Sequence, residues 1–233
     1  MIMTLFDAFI LPKFNKVTLP LLRRYHAPPT PSATHKGVAF EKRSLRILQE
    51  HLSMSLQRIG GKDDGGVDLR GWWWLPPPHM TVNNANEDRR RVRVIAQCKA
   101  EKKKMGPNYV RELEGVMHRD LTEEAPYAAV ALLISESAFT ASTLRLAQSS
   151  KIPLLLLHLP SDDDESGLPV ISTAFWNSAL MGQHGILGGG IDIRWERSPD
   201  GSSGRPGLWY RGERLKSWIP DPVDTPDVPE GVL

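Results

Sequence analysis

The stretch RVRVIAQCKAEKKKMGP, residues 91–107, decides how the rest of the chain must fold around it. Val92, Val94 and Ala96 alternate with Arg91, Arg93 and Ile95, the period of a strand whose two faces meet different surroundings. Gln97 and Lys99 follow two residues apart and so point the same way. A core strand that ends in a polar pair aimed at one point implies that something is held there. Cys98, between them, faces the opposite side and reads as a small apolar packing residue. It is the only cysteine in 233 residues, which excludes an intrachain disulfide and fits a reducing compartment.

Upstream of this strand, GVAFEKRSLRILQEHLSMSLQRIGG carries Phe40, Leu45, Leu48, Leu52 and Met54 in a helical stripe. The spacing predicts a helix from Gly37, then a turn and short strand between Ser53 and Ile59. GGVDLRGWWWL reads as a second strand opened by a glycine pair. A proline-opened polar loop links it to the strand over 92–99, so the two can pair antiparallel.

Downstream, NYVRELEGVMHRDL is helical, with Val110, Leu113 and Met117 on one face. AAVALLIS and IPLLLLHL are continuous apolar runs of strand length, the mark of strands covered on both faces. Between them AFTASTLRLAQSS reads as a helix capped by Thr140 or a nearby serine. Strand–helix–strand order implies a right-handed parallel crossover. AFWNSALMGQ reads as a helix, and IDIRWER with LWYRGERL as a terminal hairpin.

The chain is 40% hydrophobic and 24% charged, ordinary for a globular protein, with a net charge of +2. No run reaches the roughly 20 apolar residues of a spanning helix, so no membrane span is expected. Residues 1–36 are basic and nearly acid-free and resemble a mitochondrial presequence, against the plainer reading of a leader with no address. Residues 37–160 form the expected core, 161–218 an extension with a helix and hairpin, and 219–233 an acidic, proline-rich tail.

In this layout Asp68 ends one strand while Gln97 and Lys99 end its neighbour. A carboxylate, an amide oxygen and an ammonium would meet at one end of the sheet. Oxygen ligands of this kind suit Mg²⁺, with Mn²⁺ as the alternative. A metal there would polarise a phosphoryl oxygen and acidify water, Lys99 would stabilise the negative charge that develops, and Glu41 would supply a second carboxylate from the first helix. Each residue also has a plainer role: a turn cap for Asp68, a satisfied core amide for Gln97, a strand-end cation for Lys99, and a helix first-turn acid for Glu41.

GVAFEKRSLRILQE, GGKDDGGVDLRG, VIAQCKAE, VRELEG and LLISESAFTASTLRLAQSSKIPLLLL occur in an order that resembles the Mrr-like restriction endonucleases of the PD-(D/E)xK superfamily, in its D…QxK variant. With GPNYVRELEG and FWNSAL added, the pattern also resembles the fungal mitochondrial "required for respiratory growth" proteins. The resemblance runs from about Gly37 to His158. It implies an α/β restriction-endonuclease-like core, a mixed central sheet flanked by helices, with a C-terminal β-hairpin appendage. It implies Asp68, Gln97 and Glu41 as metal ligands and Lys99 as the catalytic lysine. Two departures bear on target choice: no separate DNA-reading domain is evident, and the loop from Trp72 to Arg90 is long.

Arg89, Arg90, Arg91, Arg93, Lys102, Lys103 and Lys104 bracket the motif strand and read as phosphate contacts, or else as charges that keep a strand end solvated. Trp72, Trp73 and Trp74 cannot all face one way; some would stack on bases and some would pack. Trp195, Trp209 and Trp218 read as packing residues, and His118 and His158 show no ligand spacing. The expectation is a Mg²⁺-dependent endonuclease of the mitochondrial matrix that acts on nucleic acid, DNA before RNA, in genome maintenance. Cutting both strands of a duplex commonly calls for two active sites, which a homodimer would supply, and the sequence does not fix the oligomeric state. The alternative is an inactive nucleic-acid-binding or assembly factor on the same fold.

Overall fold

The computed structural model describes residues 33–59, 65–77, 89–120, 128–161, 171–188, 190–197 and 204–220. The expected leader (apart from its last four residues), the middle of the loop after Trp74, the acidic loop after Ser161 and nearly all of the tail lie outside the described residues.

Helix α1 (Ala33–Leu52) starts four residues earlier than the apolar stripe predicts, so the boundary drawn at residue 36 falls within its first turn. Phe40, Ile47, Leu48 and Leu52 are buried on its inner face. The helix ends where Ser53 takes a left-handed conformation (φ 57°) and turns the chain into β1 (Met54–Arg58). Strands β2 (Leu69–Leu75) and β3 (Arg90–Lys99) follow, and β1–β2–β3 form an antiparallel meander. Gly71 is required in β2 because a Cβ there would lie 2.2 Å from the Ser55 carbonyl oxygen.

Helix α2 (Pro107–Asp120) begins with proline at its first position, where no amide hydrogen is missed. Strand β4 (Ala129–Ser135) is buried at every residue, helix α3 (Ala141–Ser149) is capped by the Thr140 hydroxyl, and β5 (Leu154–His158) lies parallel to β4, which lies parallel to β3. The expected parallel pairing across α3 is present. The two faces of β3 divide as its alternation predicts. Val92, Val94 and Ala96 join the core under α1, and Ile95 joins the core under α2 and α3.

AFWNSALMGQ is where the sequence reading needs correction. Thr173–Trp176 form strand β6, antiparallel to β5, so this part of the extension is the sixth strand of the main sheet. Phe175 packs on the α2–α3 side and Trp176 on the α1 side, a period-two pattern hidden by the short helix α4 (Ser178–Met181) that follows. The junction is Asn177, almost fully buried. Its Oδ1 accepts from the amides of Leu154 (3.1 Å) and Leu180 (3.2 Å), and its Nδ2 faces the carbonyls of Ala147, Ser150 and Ile152. One side chain thereby ties α3, β5 and α4 together. Asn177→Leu strands these backbone groups, and a loss of about 2–3 kcal/mol in chemical denaturation is expected.

The terminal hairpin is a three-stranded sheet: β7 (Ile191–Arg197), β8 (Gly204–Tyr210) and β9 (Glu213–Arg214). LWYRGERL therefore contains a tight turn at Arg211-Gly212, which splits it between β8 and β9. Leu208 and Tyr210 enter the same core as α1. The chain beyond β9 is pinned to the end of α1: the Ser217 hydroxyl donates to the Gln49 carbonyl, and the Trp218 amide donates to the Ser53 hydroxyl. No helix among the described residues is long and apolar enough to cross a membrane.

Candidate active site

Asp68 directly precedes β2, and Gln97 and Lys99 lie at the end of β3 that pairs with that start, in the middle of the main sheet. The Asp68 amide donates to the Ala96 carbonyl at 3.0 Å, and its carboxylate Oδ2 accepts from the Cys98 amide at 2.6 Å. The carboxylate is thus fixed against the peptide unit that joins Gln97 to Cys98. Gln97 turns to the α2 side and is 4% exposed. Its Oε1 is buried and has no hydrogen-bond partner among the described residues. An orphaned carbonyl oxygen costs about 1–3 kcal/mol; Ser44 Oγ and the Trp73 indole nitrogen are also buried without a partner among the described residues.

Lys99 lies on the same side as Gln97, with Nζ 5.7 Å from the centre of the Tyr109 ring. The Tyr109 hydroxyl donates to the Glu101 carboxylate at 2.6 Å, and that bond, more than burial, pushes the phenol's pKa up to about 12. Tyr109 therefore keeps its proton and remains a neutral ring beside the lysine. Cys98 faces the α1 side toward Ser44. Burial, with the charges of Asp68 and Glu41 added, pushes its thiol pKa far up. It is a protonated packing residue and no nucleophile.

Glu41 approaches from α1, close enough to act electrostatically on Cys98, but its carboxylate is engaged by Arg58 of β1 at 2.5 Å. Asp68 and Glu41 both act electrostatically on Cys98, whereas Gln97 turns to the α2 side, and among the described residues no three His, Cys, Asp or Glu side chains cluster to hold a metal. A carboxylate and an amide oxygen are donor types that suit a hard divalent cation. The buried Oε1 of Gln97, lacking any donor among the described residues, is the observation that supports the fit.

The basic residues around β3 divide by environment. Arg89 donates to the Ser53 hydroxyl and to the carbonyls of Trp74 and Lys216, and Arg90 donates to the Ile186 carbonyl; burial lowers the pKa of both. They stitch the main sheet to the C-terminal segment. Arg93 pairs with Asp120 at 3.4 Å, beside Arg70, and Arg91 stacks over Trp72 at 4.5 Å. Lys102, Lys103 and Lys104 are exposed next to the site. Trp73 is fully buried, Trp74 meets Trp218 edge-on, and Trp195, expected to pack, is 42% exposed.

A feature absent from the sequence reading is a cleft of about 320 Å³ in front of Gln97. Its walls are the Gly65-Gly66 turn and one face of α2, where Arg111, Gly115 and Arg119 lie four residues apart in succession. Glu112 and Val116 complete it. Arg119 donates to the Gly65 carbonyl at 2.8 Å and fastens the turn to the helix. The four-residue spacing was the available signal, but nothing in it showed that this face looks onto the motif strand. His158, at the end of β5, has its pKa lowered by burial while its Nε2 lies 3.2 Å from the Glu136 carbonyl.

The sequence profile of the family described as "Required for respiratory growth protein 7" matches residues 32–184. An uncharacterized mitochondrial protein of Schizosaccharomyces pombe is 33% identical over 135 residues, which cover 58% of this chain and 49% of that one. "Required for respiratory growth protein 7, mitochondrial" of Zygosaccharomyces rouxii is 27% identical over 177 residues, 64% of this chain and 73% of that one. The Candida glabrata protein of the same name is 27% identical over 161 residues, 55% and 63% respectively. The match thus spans about half the length of the S. pombe relative and more of the other two. No solved structure matches the chain.

Proposed function

As the chain belongs to the Required for respiratory growth protein 7 family and is mitochondrial, we propose that it hydrolyses phosphodiester bonds of nucleic acid in that compartment, on a variant PD-(D/E)xK core. The observation that carries this reading is the buried Oε1 of Gln97, without a hydrogen-bond partner among the described residues, at the end of the β2–β3 pair from which the fixed carboxylate of Asp68 and the ammonium of Lys99 also come. Asp68 and Gln97 would hold Mg²⁺ or Mn²⁺. A divalent ion there would supply charge stabilisation at a phosphoryl oxygen and lower the pKa of water.

The chain's own residues supply the rest. The Cys98 amide orients the Asp68 carboxylate, so that its negative charge is placed before any ligand arrives. Lys99, placed over the face of Tyr109, offers a cation for charge that grows on the phosphate as the ester bond breaks. Glu41 joins the site when its pairing with Arg58 loosens. A second reading, nucleic-acid binding without turnover, draws its support from that same ion pair.

The test is nicking of supercoiled plasmid by the full chain with Mg²⁺, Mn²⁺ or EDTA, beside Lys99→Ala. Metal-dependent nicking that falls on the order of 10²–10³-fold in the variant is expected. Wild type and variant that shift the plasmid equally on a gel, with no nicking by either, would replace hydrolysis by the binding reading.

A further inference from the structure

We propose that the cleft between α2 and the Gly65-Gly66 turn seats a backbone phosphate of the nucleic-acid strand, with Arg111 and Arg119 as its cationic contacts and Gly115 as the opening that lets the strand approach. The assignment rests on the reading of the site as one for nucleic acid and adds where the strand lies.

Gly115 is the decisive residue. It occupies the middle of α2, where glycine weakens a helix relative to alanine. A helical glycine is structurally required where something crowds the helix or where the backbone conformation demands it. Neither holds here: a Cβ at position 115 would meet nothing within 4 Å, and the residue is helical. The missing side chain leaves space for something other than the protein. That space is flanked by the exposed Arg111 and Arg119, one helical turn to either side, so whatever enters meets positive charge above and below.

The opposite wall has the same character. Gly65 and Gly66 adopt positive φ (61° and 86°), and a Cβ on Gly65 would also meet nothing within 4 Å. Arg119 contributes one N–H to the Gly65 carbonyl and keeps its other donors. The floor is Gln97, 4% exposed, whose buried amide oxygen has no partner among the described residues; as an acceptor it holds no anion, and the phosphate contacts fall to the two arginines. Two arginines and a bare backbone fit a phosphodiester, since guanidinium groups match phosphate oxygens in geometry and charge. Glu112, also on the wall, disfavours a freely diffusing multiply charged anion more than a singly charged diester.

The experiment measures binding of a labelled DNA oligonucleotide, single-stranded and duplex, in EDTA by fluorescence anisotropy over a salt series, with nicking assayed in parallel. It compares the full chain with Arg111→Ala, Gly115→Leu and Lys99→Ala. Gly115→Leu fills the cleft while improving helix propensity, so its Tm is expected to rise by roughly 2–4 °C as binding falls about tenfold or more. Arg111→Ala is expected to weaken binding and reduce the salt slope by about 1. A fall in both variants supports the cleft even if the wild type never nicks, an outcome that would sink the hydrolytic reading alone. Binding and nicking unchanged in both variants overturns the cleft and leaves hydrolysis standing. A wild type that binds neither oligonucleotide overturns the cleft outright, and if Gly115→Leu lowers the Tm, Arg111→Ala decides.

Discussion

Gln97→Leu is expected to make the protein more stable and inactive at once. The substitution keeps nearly the same volume and removes a buried carbonyl oxygen that has no partner among the described residues. Eliminating an unsatisfied polar group recovers about 1 kcal/mol or more, which for a chain of this size raises the Tm by roughly 2–4 °C. If that oxygen serves a metal, hydrolysis falls on the order of 10²–10³-fold, the scale seen when a single charge-stabilising group is deleted. Thermal unfolding and plasmid nicking on the same preparation check both halves. A variant that loses stability and keeps activity would mean that Gln97 satisfies its oxygen inside the protein, and the site would have to be sought elsewhere. Opposite signs for stability and function mark a residue that the fold tolerates for the sake of chemistry.

Trp73→Ala carries the largest expected structural effect. The indole is fully buried in β2, opposite Met54 on β1 and Val92 on β3, in the core shared by α1 and the C-terminal sheet. Truncation leaves a cavity that rigid strands on both sides cannot close, at about 3–5 kcal/mol. Against a total stability of about 5–15 kcal/mol, that leaves the chain marginal or unfolded at physiological temperature. Trp73→Phe should cost only about 1–2 kcal/mol, because the indole N–H has no partner among the described residues to lose. Urea denaturation followed by circular dichroism separates the two. Equal losses would mean that the indole nitrogen, and not its volume, holds the position. Trp73 is then a core residue, and any stacking on bases falls to Trp72 and Trp74.

The placement of basic residues shows how sequence proximity can mislead. Arg89 and Arg90 lie next to the motif strand in sequence, but their guanidinium groups are directed at carbonyls of Lys216, Ile186 and Trp74. Their chemistry is that of buried donors that satisfy stray acceptors. Arg111 and Arg119 sit in a helix that the sequence identified only by its apolar face, and their exposed face lines the cleft. A run of like charges in sequence reports local solvation, whereas convergence of charge depends on which elements pack against one another.

By itself the sequence determined the alternation along β3, the antiparallel partner before it, the parallel crossover after it, a hydroxyl cap at or near Thr140, and the placing of Asp68 and of Gln97 and Lys99 at the same end of two paired strands. All of these follow from periodicity or from neighbours joined by short connections, where local geometry leaves few choices. Tertiary structure alone decided the rest. It made β6 a strand although AFWNSALMGQ has helical character, because β5 offered an unpaired edge and both of its faces were already lined by core. It gave Glu41 to Arg58, and it turned the Arg111–Gly115–Arg119 face toward Gln97. These outcomes depend on contacts between elements far apart in the chain, where the energy lies in surfaces that exist only once the layers have packed.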